Sequence, residues 1–271
     1  MRIPVAAAIG MFFTALYFLA AIFAPLLARY GYDEVVSSGF WDPPSAEFLL
    51  GTDGIGRDLL SRMIYGGQTT IFVATAATIL SFSTGSVLGF LAAVAGRWVD
   101  QLLSRFVDLL MSVPSLIFAL VVLSVMLVTL PVLILVMGLL DSTRVFRLSR
   151  AVAVDIEVMD YVEAARLRGE KTAWIIFREI LPNALSPLVA EMGLRFIFMV
   201  LFVSTLSFLG LGIQPPQADW GGIVKENAEG IVYGAPAALM PAFAIATLAI
   251  SVNLVADWIL NRTTSLKGGR G

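Results

Sequence analysis

The feature that most constrains this chain is a set of five long runs without a charged side chain, at 3–28, 63–96, 109–140, 196–218 and 230–256. About 20 apolar residues cross the roughly 30 Å hydrocarbon layer as a helix, so each run is long enough to span. A helix also satisfies its own backbone polar groups where no water can. The third run would measure about 48 Å as one helix, too long for a single comfortable crossing. It contains Pro114 and Pro131, and Thr129-Leu130-Pro131 reads as a break. Splitting there, with the second half continuing toward Phe146, predicts six transmembrane helices in an all-α integral membrane fold. The composition agrees, with 58% hydrophobic and 14% charged residues, against about 25% charged in an ordinary soluble domain.

Charge placement tests the count. Lys and Arg gather on the cytoplasmic side of membrane proteins. Six spans with an inner N-terminus place Arg2, Arg97, Arg105, Arg144, Arg147, Arg150, Arg166, Arg168, Lys171, Arg178, Arg262, Lys267 and Arg270 inside, 13 of the 18 basic residues. Arg29, Arg57, Arg62 and Lys225 fall outside, and Arg195 lies near or within a span. Five spans would leave only Arg2, Arg97, Arg105 and Lys225 inside. Six spans with both termini cytoplasmic is therefore the expected topology. The segments are a first transmembrane helix at 1–28, an external loop at 29–66, a five-helix core at 67–260 with an internal loop at 147–186, and a tail at 261–271. The first apolar stretch exceeds the 7–15 residues of a signal-peptide core, so it reads as a retained helix.

Several function classes fall away. The chain has no histidine and no cysteine, which excludes Ser–His, Cys–His and His–metal sites, leaving no metal site expected. A net charge of -2 gives no footprint for nucleic acid. Glu191 and Arg195 are four apart on one helix and can pair, but acids within the spans are otherwise scarce. A self-sufficient secondary transporter or channel needs coupling acids or a selectivity ring there, so the energy for any transport comes from elsewhere. An intramembrane paired-aspartate enzyme would need Asp108 and Asp141, which read instead as helix-end charges. Gly85-x-x-x-Gly89 permits close helix packing, or reflects the frequency of glycine in membrane helices.

Two loops are large. The outer one holds Trp41-Asp42-Pro43-Pro44 and Leu50-Gly51-Thr52-Asp53-Gly54-Ile55-Gly56-Arg57-Asp58, a density of turn formers that reads as a folded lid or a binding site. Asp58 is placed to cap the following helix. Gly54-x-Gly56 is no nucleotide fingerprint, because no strand precedes it. The inner loop reads as a short helix to about Arg168, stopped by Gly169, then a second helix from Lys171 or Thr172 that ends before Pro182. Ala164 and Ala165 offer a small-residue face for a partner's groove, or the loop is a solvated connector in which Arg166 meets Glu170. Gly169-Glu170-Lys171-Thr172 lacks the second glycine of a phosphate-binding loop, so no ATP site is expected. Asn261-Arg262-Thr263 matches a glycosylation triplet on the wrong side of the membrane.

Three separated motifs carry a family resemblance. Glu163-Ala164-Ala165-x-x-x-Gly169 with Ile180-Leu181-Pro182 resembles the EAA signature of permease subunits in bacterial ATP-binding-cassette importers. Leu50-Gly51-Thr52-Asp53-x-x-Gly56-Arg57-Asp58-x-x-Ser61-Arg62-x-x-Tyr65-Gly66 is similar to the dipeptide/oligopeptide/nickel branch. So is Ser207-Phe208-Leu209-Gly210-Leu211-Gly212-x-Gln214-Pro215-Pro216, with Trp220-Gly221. Phe48 and Glu179 stand where the branch often has histidine, and the tail lacks its usual Asp-Pro-Arg ending. The resemblance, to the second permease of the usual pair, implies a type I importer permease fold in the bacterial inner membrane. It implies a subunit that is not an enzyme and binds no cofactor, with ATP and Mg used by two cytoplasmic ATP-binding subunits. The other implied partners are a second permease subunit, a periplasmic substrate-binding protein and membrane lipid. Glu163, Ala164, Ala165, Arg166 and Gly169 would form the coupling helix that docks an ATPase. Gly51, Thr52, Asp53, Gly56, Arg57, Asp58, Gly210, Gly212 and Pro215 belong to the family motifs without an assigned role. Peptides or similar small solutes are the implied cargo, with nickel and sugars open.

Overall fold

A computed structural model describes residues 3–268, with side chains described through Leu260. Its helices are α1 (Val5–Ile22), α2 (Ala24–Leu27), α3 (Leu59–Val94), α4 (Arg97–Met111), α5 (Ser115–Val125), α6 (Leu130–Glu157), α7 (Asp160–Leu167), α8 (Thr172–Trp174), α9 (Leu181–Phe208), α10 (Trp220–Asn227) and α11 (Leu239–Gly268). Among the described residues the only β pairing is two isolated bridges in the outer loop. A widened π-turn at Ile175–Ile180 joins α8 to α9.

Among the described residues four stretches are long and apolar enough to cross a membrane: Val5–Ile22, Leu59–Val94, Thr172–Phe208 and Pro236–Leu260. The pair α4 and α5 qualifies as one broken span, bent by 80° at Pro114. Pro114 cannot continue an incoming helix, so the expected straight span from 109 becomes two helices. The break at Thr129 stands as expected, and α6 begins at Leu130. However, α6 carries Asp141, Arg144 and Arg147 in its first 18 residues, which makes it more polar than the other spans.

Helix directions follow from close approaches. Gly85 lies against Ser142 and Val145, Gly89 against Phe146 and Arg150, and Gly138 against Ala77 and Leu80. Positions rise together on both helices, so α3 and α6 run parallel. A Cβ on Gly85 would sit 2.6 Å from the Ser142 carbonyl oxygen, so the glycines are there to admit the partner backbone. Because α3 and α6 are parallel, α4 and α5 together must carry the chain back along the bundle. Gly10 lies against Ser251 and Leu254, while Tyr17 hydrogen-bonds Thr247 at 2.5 Å, so α1 and α11 are antiparallel. Gly193 of α9 meets Ala256 of α11. Leu59, Val73, Ala77, Met137, Met199, Leu206 and Leu248 are buried in the central core that these helices share.

The helix that Asp58 is expected to cap starts at Leu59, within the segment 29–66. Most of 147–186 is helical, since α6 runs to Glu157 and helix resumes at Thr172. The helix from Thr172 does not end before Pro182. A proline tolerates a helix's first turn, where its missing N–H has no partner to lose, and the π-turn lies immediately before it. The expected tail at 261–271 begins inside α11; its side chains, the Asn261 triplet included, lie outside the described residues.

Candidate functional site

The inner hairpin is built from α7 and its stop. Gly169 takes φ +81°. Its N–H donates to the Arg166 carbonyl at 2.9 Å, and the Glu170 N–H donates to the Ala165 carbonyl at 3.2 Å. That pair of bonds is a Schellman ending, which requires a left-handed residue after the C-cap. An added Cβ at Gly169 would meet no atom within 4 Å, so conformation rather than space selects glycine there. Val162 and Ala165 face inward and are fully buried with Ile175, Ile176 and Ile180. Glu163, Ala164, Arg166 and Leu167 are exposed. The small-residue face is thus divided: Ala164 is presented outward, whereas Ala165 is small because the chain's own π-turn packs on it. Arg166 pairs with Glu157 at the end of α6, not with Glu170, which lies beyond the turn. Arg168 stands 5.8 Å over the Trp174 ring.

The outer motifs converge on a second cluster. Asp58 caps α3, its carboxylate accepting from the Ser61 N–H at 2.8 Å, as its position predicted. Asp53 is fully buried. Its Oδ1 accepts from the Ile55 and Arg57 N–H groups at 3.0 Å each, and its Oδ2 from Arg57 Nε at 2.7 Å and Arg62 Nη1 at 2.6 Å. Burial alone pushes this carboxyl up, but the two N–H bonds and the two guanidinium groups outweigh it and hold the pKa below the usual carboxylate value. Glu226 of α10 closes the network, accepting from Arg57 at 2.5 Å and Arg62 at 2.6 Å. Thr52 is buried and its hydroxyl accepts from the Asp42 N–H at 2.9 Å. Gly51 and Gly56 let the loop pass against the backbone carbonyls of Asp42 and Ser37. Asn227 Oδ1 accepts from Trp41 Nε1 and from the Gly54 N–H, each at 3.1 Å. The outer loop is therefore clamped to α10.

The third motif sits beside this clamp. Gly210 ends α9 by the same device as Gly169: φ is +88°, its N–H donates to the Ser207 carbonyl, and the Leu211 N–H to the Leu206 carbonyl. Gly212 lies so close to Ser207 that a Cβ would fall 2.1 Å from its hydroxyl. Pro215 lines a cleft of about 420 Å³ with Trp41, Asp53, Arg57 and Glu226. The structure thus brings Asp53, Arg57 and Pro215 together and leaves the inner hairpin at the other end of the bundle. Asp219 caps α10, accepting from the Gly221 and Gly222 N–H groups at 3.0 and 3.2 Å. Burial pushes its carboxyl up to about 6 against hydrogen bonds from Ser207, Gly222 and Gly221. Sequence reasoning missed Glu226 and Asn227, which lie outside the turn-rich loop they hold, and Asp219, which caps the helix that carries them.

One correction concerns the spans. Asp141 is not a helix-end charge; it is buried midway along α6. Ser81 of α3 donates to its Oδ2 at 3.0 Å, and Arg144 and Arg195 approach its Oδ1 at 3.7 and 3.6 Å. Arg195 also binds Glu191 through two bonds of 2.8 and 2.6 Å, the pairing expected from their spacing. Asp108 lies on α4 and bridges Arg147 at 2.6 Å on the exposed surface, so it does not pair with Asp141. Among the described residues no cluster of acids could hold a metal.

Comparison with known proteins fits this architecture. Residues 85–265 match the family described as binding-protein-dependent transport system inner membrane component. The chain is similar to the dipeptide transport system permease protein DppC of Alkalihalophilus pseudofirmus, at 32% identity over 93% of this chain and 83% of that one. The di/tripeptide transport system permease protein DppC of Pseudomonas aeruginosa is 32% identical over 92% of this chain and 84% of its own. The oligopeptide transport system permease protein OppC of Bacillus subtilis is 30% identical over 93% and 82%. The match runs from the last turns of α3 into α11 and takes in the inner hairpin, and the chain belongs to the family of binding-protein-dependent transport system inner membrane components.

Proposed function

We propose that this chain is a pore-forming permease subunit of an ATP-driven importer for peptides, and that α7 is the element through which ATP hydrolysis in partner subunits reaches the pore. Family membership supports the permease, and the names of the relatives support the peptide cargo. The observation that carries the coupling role is the hairpin at Gly169. It is held from within by Val162 and Ala165 and offers Glu163, Ala164 and Arg166 outward at the end of a helix that continues to Phe208. A short rigid helix with one free face suits a groove on another protein. ATP and Mg then belong to the ATPases, and a substrate-binding protein delivers the cargo on the opposite side, where the clamped outer loop lies.

In this reading the membrane holds six crossings, with α4 and α5 forming one of them and α6 another. Parallel α3 and α6 and antiparallel α1 and α11 support that count. The basic residues of the hairpin support a cytoplasmic position for it and for both termini in the bacterial inner membrane. A second, different permease subunit would complete the pore, over two ATPases. A self-sufficient carrier is less well supported: among the described residues the one fully buried acid in the spans, Asp141, is held by Ser81 and flanked by two guanidinium groups.

Gentle purification from the native membrane, followed by mass spectrometry, tests the proposal. The expected result is a second permease together with subunits bearing phosphate-binding loops. Recovery of this chain alone as a stable homo-oligomer would overturn it.

A further inference from the structure

We propose that Arg144 and Arg195 form a cationic station on the transport path, which receives the carboxylate of the passing cargo, with Asp141 as the buried counter-charge that holds both guanidinium groups in readiness. The inference deepens the peptide-importer reading and rests on it for the identity of the cargo.

Asp141 Oδ1 is buried and accepts no hydrogen bond among the described residues. Two guanidinium groups from different helices approach that one oxygen, at 3.6 and 3.7 Å, and neither closes to bonding distance. A buried carboxylate oxygen left without a donor is costly, so the arrangement is more than packing. Arg144 is the less committed cation. Its hydrogen bond among the described residues is a long one, 3.5 Å to Ser115, and its guanidinium rests 4.6 Å over the Phe198 ring. Both arginines are partly exposed, at 33% and 25% of the side chain. A charge midway along a membrane helix does not face lipid; it faces water, a partner charge or a path. Asp141 and Glu191 already balance the two arginines, so no external acid is needed to neutralise them. Unused donors remain, and a planar guanidinium presents them in the geometry that a carboxylate accepts. A carboxylate arriving at Arg144 replaces a long, weak contact with short charge-assisted bonds. When it leaves, Arg144 returns toward Asp141, so the site holds its cargo only in passing.

The test uses the complete importer reconstituted in proteoliposomes. The chain has no native cysteine, so Ser115→Cys gives one reporter beside Arg144 on this subunit, and labelling is read on this subunit after the others are separated from it. The expected result is rapid reaction with a water-soluble, membrane-impermeant thiosulfonate, slowed when binding protein loaded with trialanine is added. No reaction, or reaction that loaded binding protein leaves unchanged, would overturn the station. The paired variant Glu191→Gln with Arg195→Gln keeps the charge balanced and a neutral hydrogen bond in place. Tritiated trialanine uptake should fall about tenfold, the worth of one charge-assisted bond, while ATPase stimulation by loaded binding protein persists. Uptake at the wild-type rate would reduce the cluster to a structural role. Peptide uptake by the wild-type importer tests the cargo reading separately, and the accessibility of Ser115→Cys to the reagent does not depend on it.

Discussion

Arg62 reaches Glu226, 164 positions further along the chain, through an ion pair of 2.6 Å while the same Nη1 holds Asp53 at the same distance. One fully buried guanidinium thereby fastens the outer loop to α10. Removing it leaves two acids sharing Arg57 alone. Arg62→Met should destabilise the protein by about 3 kcal/mol, because breaking a buried ion pair strands its partner charges. Thermal unfolding in detergent would read the loss, and limited proteolysis should show cleavage within 29–58 at temperatures where the wild type resists.

Gly169 offers a graded series. Its positive φ costs an alanine about 1–2 kcal/mol, and the open space around it adds no clash. Gly169→Ala should insert normally and retain part of its transport. Gly169→Pro cannot adopt the angle and loses the N–H that bonds Arg166, so it should insert, yet abolish uptake and ATPase stimulation. Normal uptake by the proline variant would remove the hairpin from the mechanism.

Ala164 and Ala165 separate docking from folding. Ala165→Leu forces bulk against Ile175, Ile176 and Ile180 and should cost about 1–3 kcal/mol, lowering the amount of folded protein. Ala164→Leu lies on the exposed side and should change stability by no more than about 0.5 kcal/mol. Co-purification of the ATPase should nevertheless drop with Ala164→Leu. Equal losses of folded protein in both variants would argue against the division of the two faces.

Asp219 predicts a pH dependence. Its carboxyl is raised to about 6 in the folded chain, from an ordinary value of 3.8. The folded state therefore holds the proton more tightly, and stability falls as pH rises between those two values, with the full penalty present above them. The difference corresponds to about 3 kcal/mol. Asp219→Asn keeps an oxygen to cap α10 and removes the titration. Unfolding temperatures measured from pH 4 to 7 should decline for the wild type and flatten over this range for the variant. Glu226, which adds to the rise at Asp219, remains in both proteins.

What the sequence made legible was chiefly local. The Asp58 cap, the Gly169 stop and the break at Thr129 each depend on residues within a turn of one another. The Glu191–Arg195 pair was readable for the same reason. The bend at Pro114 had its proline in view, but nothing nearby fixed whether the chain would kink within a span or begin a new one. Pro182 misled because a proline can open a helical turn as well as stop one. Asp141 and Glu226 were illegible in a deeper sense. Whether Asp141 is solvated or buried, and whether Glu226 on α10 is paired or free, depends on partners more than 50 residues away, Ser81 for the first and Arg57 and Arg62 for the second.

The helix from Thr172 to Phe208 has a left-handed glycine just beyond each end, Gly169 and Gly210. Its 37 residues cover about 55 Å, with a π-turn at Ile175–Ile180 and Pro187 along the way. A tilt of about 5° displaces one tip by about 5 Å relative to the other at that length. Motion imposed on the hairpin would then reach the Gly210 turn, beside the outer clamp, along one continuous run of helical backbone.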